Sequence, residues 1–236
     1  MLLFISPRIH AQQNFNHSDS LYVNKLMINA QSFYDTGNLD SAMIICSKAL
    51  AYSQNKNYTT GKAEACNKMA DIAYHQSNLS LMAHYDSLAL QAAQTVGSKN
   101  LEASCLNLLG LYFAENGNKE VAESKFFDAL KIAATDETLT ADIYNSLGYM
   151  YGLQGELDKS VDWQLKSLSI YEKLNDEQGE AKVLDNIATL YYNLSKFNQA
   201  ITYQKRCISI RTNSSDHYGL AIAYSNISQM YLAIDS

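Results

Sequence analysis

Asn145-Ser146-Leu147-Gly148-Tyr149-Met150-Tyr151 is answered forty residues later by Asp185-Asn186-Ile187-Ala188-Thr189-Leu190-Tyr191, and forty later again by Ser225-Asn226-Ile227-Ser228-Gln229-Met230-Tyr231. Upstream, Asn107-Leu108-Leu109-Gly110-Leu111-Tyr112-Phe113 and Asn67-Lys68-Met69-Ala70-Asp71-Ile72-Ala73 have the same form, and Met27 to Phe33 is a faint first copy. One small residue marks each copy: Ala30, Ala70, Gly110, Gly148, Ala188 and Ser228, at steps of 40, 40, 38, 40 and 40. Other columns keep the same step. Seven residues earlier stand Ala63, Ala103, Ala141, Ala181 and Ala221; seven later stand the turn formers Gly37, Ser77, Gly117, Gly155, Ser195 and Asp235. Nineteen later come Ala49, Ala89, Ala129, Ser167 and Cys207, each followed by an aliphatic residue. Many columns agreeing at one step identify an internal repeat.

Each copy reads as two helices. In the fifth, Ala181, Leu184, Ile187, Ala188 and Tyr191 fall at steps of three and four and form one apolar stripe. Ser195 to Asn198 breaks the stripe, and Ala200, Ile201, Cys207, Ile208 and Ile210 supply a second helix. The glycines of the turn column suit the left-handed residue that ends a helix. Asp40, Ser80 and Asp158, three residues further on, are the expected acceptors for the orphan amides of the next helix. Asn175 to Gly179 and Asn213 to Asp216 read as polar connectors, with Gly61, Gly179 and Gly219 turning the chain into the next unit. A lone helix pair leaves an apolar face uncovered; stacked pairs cover it, which makes a solenoid. Composition agrees: Pro7 is the only proline in 236 residues, so nothing interrupts the helices after it.

A small residue on the first helix, an aromatic three later, a turn former, then small residues on the second helix: this pattern resembles the tetratricopeptide repeat. Leu184, Ile187, Ala188, Tyr191, Ala200 and Cys207 carry the match most closely, and it runs from about Leu21 to Ser236. Two features depart from the family: the unit is about 40 residues rather than 34, and the proline that often closes it is missing. The longer unit is similar to those of kinesin light chains, bacterial peptide-sensing regulators and repeat-bearing sensor or transcription-regulator proteins. The resemblance implies an all-α fold: a right-handed α-solenoid, or superhelix, of antiparallel helix pairs, with five full units and one terminal helix. The units are expected at about 21–60, 61–100, 101–138, 139–178 and 179–218, with a partial one at 219–236.

In that family the first helices line the concave face. Asn67, Asn107, Asn145, Asn186 and Asn226 recur there, and a primary amide both donates and accepts, so a ladder of them suits the backbone of an extended peptide. Repeat duplication, or amides bonding between neighbouring helices, accounts for the same series. Expected groove neighbours are Lys68, Tyr74, Leu111, Tyr149, Lys182, Thr189, Tyr192 and Gln229. With only two lysines in this set, the cationic clamp of chaperone-binding family members is not expected. The tyrosine column, with Phe33 and Phe113, reads as core, as does Trp163. The scattered histidines, His75 and His84 included, read as packed or solvated rather than as ligands. Cys46, Cys66, Cys105 and Cys207 read as small buried apolar residues; Cys46 with Cys66 is the first pair to check in an exported chain.

Eighteen Lys and Arg against 24 Asp and Glu give a net charge of −6, which does not favour a nucleic-acid partner. No phosphate-binding glycine loop, Gly-x-Ser-x-Gly or His-Glu-x-x-His motif is present, so neither an enzyme nor a cofactor is expected. No stretch reaches the ~20 apolar residues of a membrane span. Residues 1–20 read as a tail or as the remnant of a secretory signal: Met1 to Ile5 is apolar, and Ile9-His10-Ala11 resembles a cleavage site. The first alternative places the chain in the cytoplasm, the second in the periplasm or another exported compartment. The expected function is a scaffold binding a protein or peptide in the concave groove. The alternative is a ligand-sensing input segment of a bacterial signalling or transcription regulator whose output domain lies outside this chain. Ala221, Tyr224, Ile227 and Tyr231 make an uncovered stripe on the last helix, suited to a further segment or another subunit.

Overall fold

The computed structural model describes residues 17–133, 135–214 and 216–234. The N-terminal signal remnant, and the turn and connector residues Asp235 and Ser215, lie outside the described residues. Eleven helices, and no strand, are formed among the described residues. They are α1 (His17–Asp35), α2 (Leu39–Asn55), α3 (Thr59–His75), α4 (Leu79–Val96), α5 (Lys99–Glu115), α6 (Lys119–Ile132), α7 (Glu137–Leu153), α8 (Leu157–Leu174), α9 (Glu177–Asn193), α10 (Phe197–Asn213) and α11 (His217–Ile234). Each helix packs on the next, and each odd-numbered helix from α1 to α9 also packs on the following odd-numbered one. The result is an all-α solenoid of five antiparallel pairs and a last single helix.

The small column shows why the pairs close so tightly. At Gly110 a side-chain carbon would lie 2.5 Å from the Phe126 ring, so only glycine lets α6 lay that ring on α5. Ala63, Ala103, Ala141 and Ala181 are all buried on the neighbouring turn. Phe126, Leu147, Met150, Leu184 and Ile187 fill the spaces between pairs. Buried apolar area of this kind is worth about 25 cal/mol per Å² and is the main force holding successive units together. Cys46, Cys66, Cys105 and Cys207 are free and buried in these layers, so Cys46 and Cys66 are unpaired. Trp163 packs edgewise on Phe127 and tilted on Tyr144, with Lys166 over its ring.

The turn column behaves as one structural position. Gly37, Ser77, Gly117, Gly155 and Ser195 all take positive φ, between 57° and 75°. The capping expectation needs correction. Helices start two residues past the turn former, so Asp40, Ser80 and Asp158 are already helical, and the cap lies nearer the turn. Asn38 accepts from the Ser41 amide at 3.2 Å and Asn78 from that of Leu81 at 3.1 Å. The connector glycines need correction too. Gly61, Gly179 and Gly219 sit buried in the first turns of α3, α9 and α11. The left-handed residues are instead Asn57, before Gly61, and Asn175, before Gly179, with Gly97 in the connector between α4 and α5. Gly179 is required for packing: a side-chain carbon there would stand 2.4 Å from the Tyr171 ring.

Candidate functional site

The expected groove residues all lie on odd-numbered helices, α3 to α11, and divide into three groups. The first holds the asparagines, whose amides mostly join neighbouring helices. Asn67 Oδ1 accepts from Ser104 Oγ at 3.1 Å, and its Nδ2 approaches Cys105 Sγ at 3.6 Å. Asn186 Nδ2 donates to Asn145 Oδ1 at 2.8 Å. Asn226 Nδ2 donates to Asp185 Oδ1 at 3.1 Å, and Gln204 Nε2 reaches the same oxygen at 2.7 Å. Asn107 differs: its Oδ1 is shielded from solvent and has no hydrogen-bond partner.

The second group is closed to a ligand, which corrects two expectations. Asn145 is only 8% exposed, with its amide held by Asn186 and its backbone carbonyl by Gln164 Nε2. Leu111 is packed in the central core with Leu108 and Ala114. Both are drawn into the wall because α5 and α7 pack directly on each other there.

The third group remains accessible. Thr189 and Gln229 are exposed, and the Thr189 hydroxyl bonds back to the Asp185 carbonyl at 3.0 Å. Tyr192 is half-buried against Phe197. Lys68 pairs with Asp71 at 2.9 Å and lies 3.5 Å above the centre of the Tyr34 ring. Lys182 is exposed and forms neither a hydrogen bond nor an ion pair among the described residues.

Electrostatics couple residues of different units. Burial raises the Asp71 carboxyl, but Lys68, His75 and Lys182 outweigh it and hold it below the usual range. His75 is lowered by burial, opposed by Asp71 and reinforced by Lys182 and Lys68. Asp142 is raised by burial, against Lys182 and a 2.7 Å hydrogen bond from the Tyr171 hydroxyl. Lys182 of the fifth unit thus acts on the second and the fourth. The ends of the curve also approach: Gln178 Nε2 donates to Asp35 Oδ1 at 3.1 Å, and Tyr218 lies beside Gly37.

Asp71, His75, Glu115 and Asp142 were not among the residues expected from sequence. Asp71 stands in the same column as Leu111, Tyr149 and Thr189, one past the small residue, so the register already pointed to it. Glu115 joins two tyrosines that were expected. It accepts from the Tyr74 hydroxyl at 3.2 Å and the Tyr149 hydroxyl at 2.5 Å. Around them lies a cavity of about 290 Å³, lined by Tyr74, His75, Ser77, Leu79, Glu115 and Tyr149. Another, of about 380 Å³, lies between α2, α3 and α4 and touches none of the expected residues.

The tetratricopeptide-repeat family profile matches residues 139–213, which span α7 to α10. Among curated proteins, none matches the chain in sequence. Solved structures do match. BtubC (BKLC) from P. vanneervenii is 20% identical with a TM-score of 0.59, over 84% of this chain and 88% of that one. A signal transduction ATPase with numerous domains from Pyrococcus horikoshii, which bears a tetratricopeptide-repeat sensor, is 16% identical with a TM-score of 0.73; the match covers 92% of this chain but only 32% of the ATPase. A Rap protein complexed with competence and sporulation factor is 16% identical with a TM-score of 0.71, over 93% of this chain and 68% of that one. No helix among the described residues is long and apolar enough to cross a membrane. Residues 139–213 match the tetratricopeptide-repeat family, and the flanking helix pairs repeat the same fold at the same period in one right-handed α-solenoid.

Proposed function

We propose that the chain is a binding module that holds an extended peptide or protein segment in its concave groove. The observation that carries this reading is unmet bonding capacity on that side: the exposed Lys182 ammonium, with no ion pair among the described residues, and the half-buried Asn107 amide, whose Nδ2 makes no hydrogen bond among them. Both lie on the inner helices, among half-buried tyrosines that offer contact area with little entropy to lose. The neighbour complexed with competence and sporulation factor supports the same use of this fold. The hydrogen bonds between helices support a smaller binding set. Asn67, Asn186 and Asn226 are engaged between helices, so recognition rests on Asn107 and Lys182, with Lys68, Tyr74, Tyr149, Thr189, Tyr192 and Gln229 around them.

The test begins with selection of binders from a displayed random-peptide library. Asn107→Ala and Lys182→Ala are each expected to weaken the selected peptides roughly five- to tenfold, the usual worth of one hydrogen bond. Lys131→Ala, on the exposed part of α6, is the control and is expected to change nothing. Unchanged affinity in both folded groove variants rejects the groove as the site.

A second reading, as a sensory input, is favoured by the approach of Asp35 to Gln178 across 143 residues of sequence. A ligand that altered the pitch would change that separation. Spin labels on Thr36→Cys and Glu177→Cys, both at exposed positions, report it. A shift of several ångström on adding a selected peptide supports the input role; an unchanged distance supports a passive scaffold.

A further inference from the structure

The cavity at the groove rim is built for positive charge. We propose that it is the subsite for a cationic side chain, lysine or arginine, of the peptide bound in the groove; the proposal rests on the groove reading above and narrows it. Glu115 contributes the charge. Both tyrosine hydroxyls donate to the same atom, Oε1, which fixes the carboxylate and leaves Oε2 without a partner. No lysine, arginine or histidine forms an ion pair with Glu115 among the described residues, so its counter-charge is unfilled.

The surroundings point the same way. α3 ends at His75 and α5 ends at Glu115, so two helix C-termini, the negative ends of their dipoles, open on this cavity. Tyr74 and Tyr149 contribute aromatic rings to the lining, and aromatic rings attract ammonium and guanidinium groups. Burial, with the neighbouring Glu115 carboxylate, pushes the Tyr149 hydroxyl up to about 12, and raises that of Tyr74 further, so both remain donors. His75 lies against Asp71 rather than Glu115, and burial lowers its pKa. At about 290 Å³ the space suits one side chain rather than a whole small-molecule ligand.

Four blocked heptapeptides of alanine, with Arg, Lys, Gln or Glu at the centre, test this by NMR titration of the whole chain. The Arg and Lys peptides are expected to shift resonances of Tyr74, His75 and Tyr149 with at least roughly tenfold stronger binding than the Gln peptide, as befits a charge-assisted contact. Glu115→Gln, at an exposed position, is expected to erase that preference while the fold is retained. Equal binding of the Arg, Gln and Glu peptides, a preference that survives Glu115→Gln, or no shift at the rim overturns the subsite. Shifts at Asn107 and Lys182 without any at the rim remove the subsite and leave the groove standing.

Discussion

Ser77 and Ser195 hold φ angles of 57° and 58° where three other units use glycine. A side chain in the left-handed region costs about 1 kcal/mol, partly offset because glycine is freer in the unfolded chain. Ser77→Gly and Ser195→Gly are therefore each expected to stabilise the protein by roughly 0.5–1 kcal/mol, read as a raised denaturant midpoint at unchanged slope. Asp86 is a second residue at odds with its place. It is fully buried on α4, and neither carboxylate oxygen has a hydrogen-bond partner. Burial, partly offset by the neighbouring Cys105 thiol, raises its pKa to about 7, against about 4 in the unfolded chain. The folded state therefore holds this proton more tightly than the unfolded one. The resulting stability is complete below about pH 4, falls as pH rises through the interval to about 7, and is flat above it. Three units correspond to about 4 kcal/mol as an upper bound. Asp86→Asn is expected to remove this slope and to leave the variant more stable than the parent at pH 8. Equal slopes in parallel urea titrations at pH 5 and pH 8 would falsify the assignment to Asp86.

Helix by helix, the repeat register ranks positions by what covers them rather than by residue type. Leu184 in α9 and Tyr224 in α11 occupy the same column. Leu184 is completely buried beneath α10, whereas Tyr224 is 54% exposed because no second helix packs on that face of α11 among the described residues. Leu184→Ala is expected to cost about 2–5 kcal/mol and Tyr224→Ala under about 1 kcal/mol, measured by urea denaturation. Comparable losses would mean that α11 is covered in solution, by a second copy or by another segment. This register is also why helices and turns were legible in the sequence. Small, apolar and turn columns each answer to a constraint that every unit shares, such as the ring of Phe126 against Gly110 or the left-handed turn at Gly155. The caps were not legible because repeat spacing does not fix where a helix starts, and Asn38 lies two residues before Asp40.

Across the whole molecule, the groove was less legible than the fold. The asparagine column is visible in sequence, yet most of its amides join neighbouring helices, as the pair Asn145–Asn186 shows. The charges that face one another belong to columns with no shared residue type: Glu64, Ser104, Asp142 and Lys182 in one, Asp71, Leu111, Tyr149 and Thr189 in the other. Which unit meets which depends on small rotations accumulated from pair to pair, and no single unit encodes that sum. The apposition of Lys182 with His75, 107 residues apart, is therefore the most direct check on the curvature. A nearby cation disfavours the imidazolium, so Lys182 holds the His75 pKa down together with burial and Lys68, while Asp71 opposes them. Lys182→Gln removes one lowering contribution and is expected to raise the His75 pKa, followed by the imidazole resonances from pH 4 to 8. An unchanged His75 titration in Lys182→Gln would mean that the second and fifth units stand farther apart in solution, and that the groove is open wider than this curvature allows.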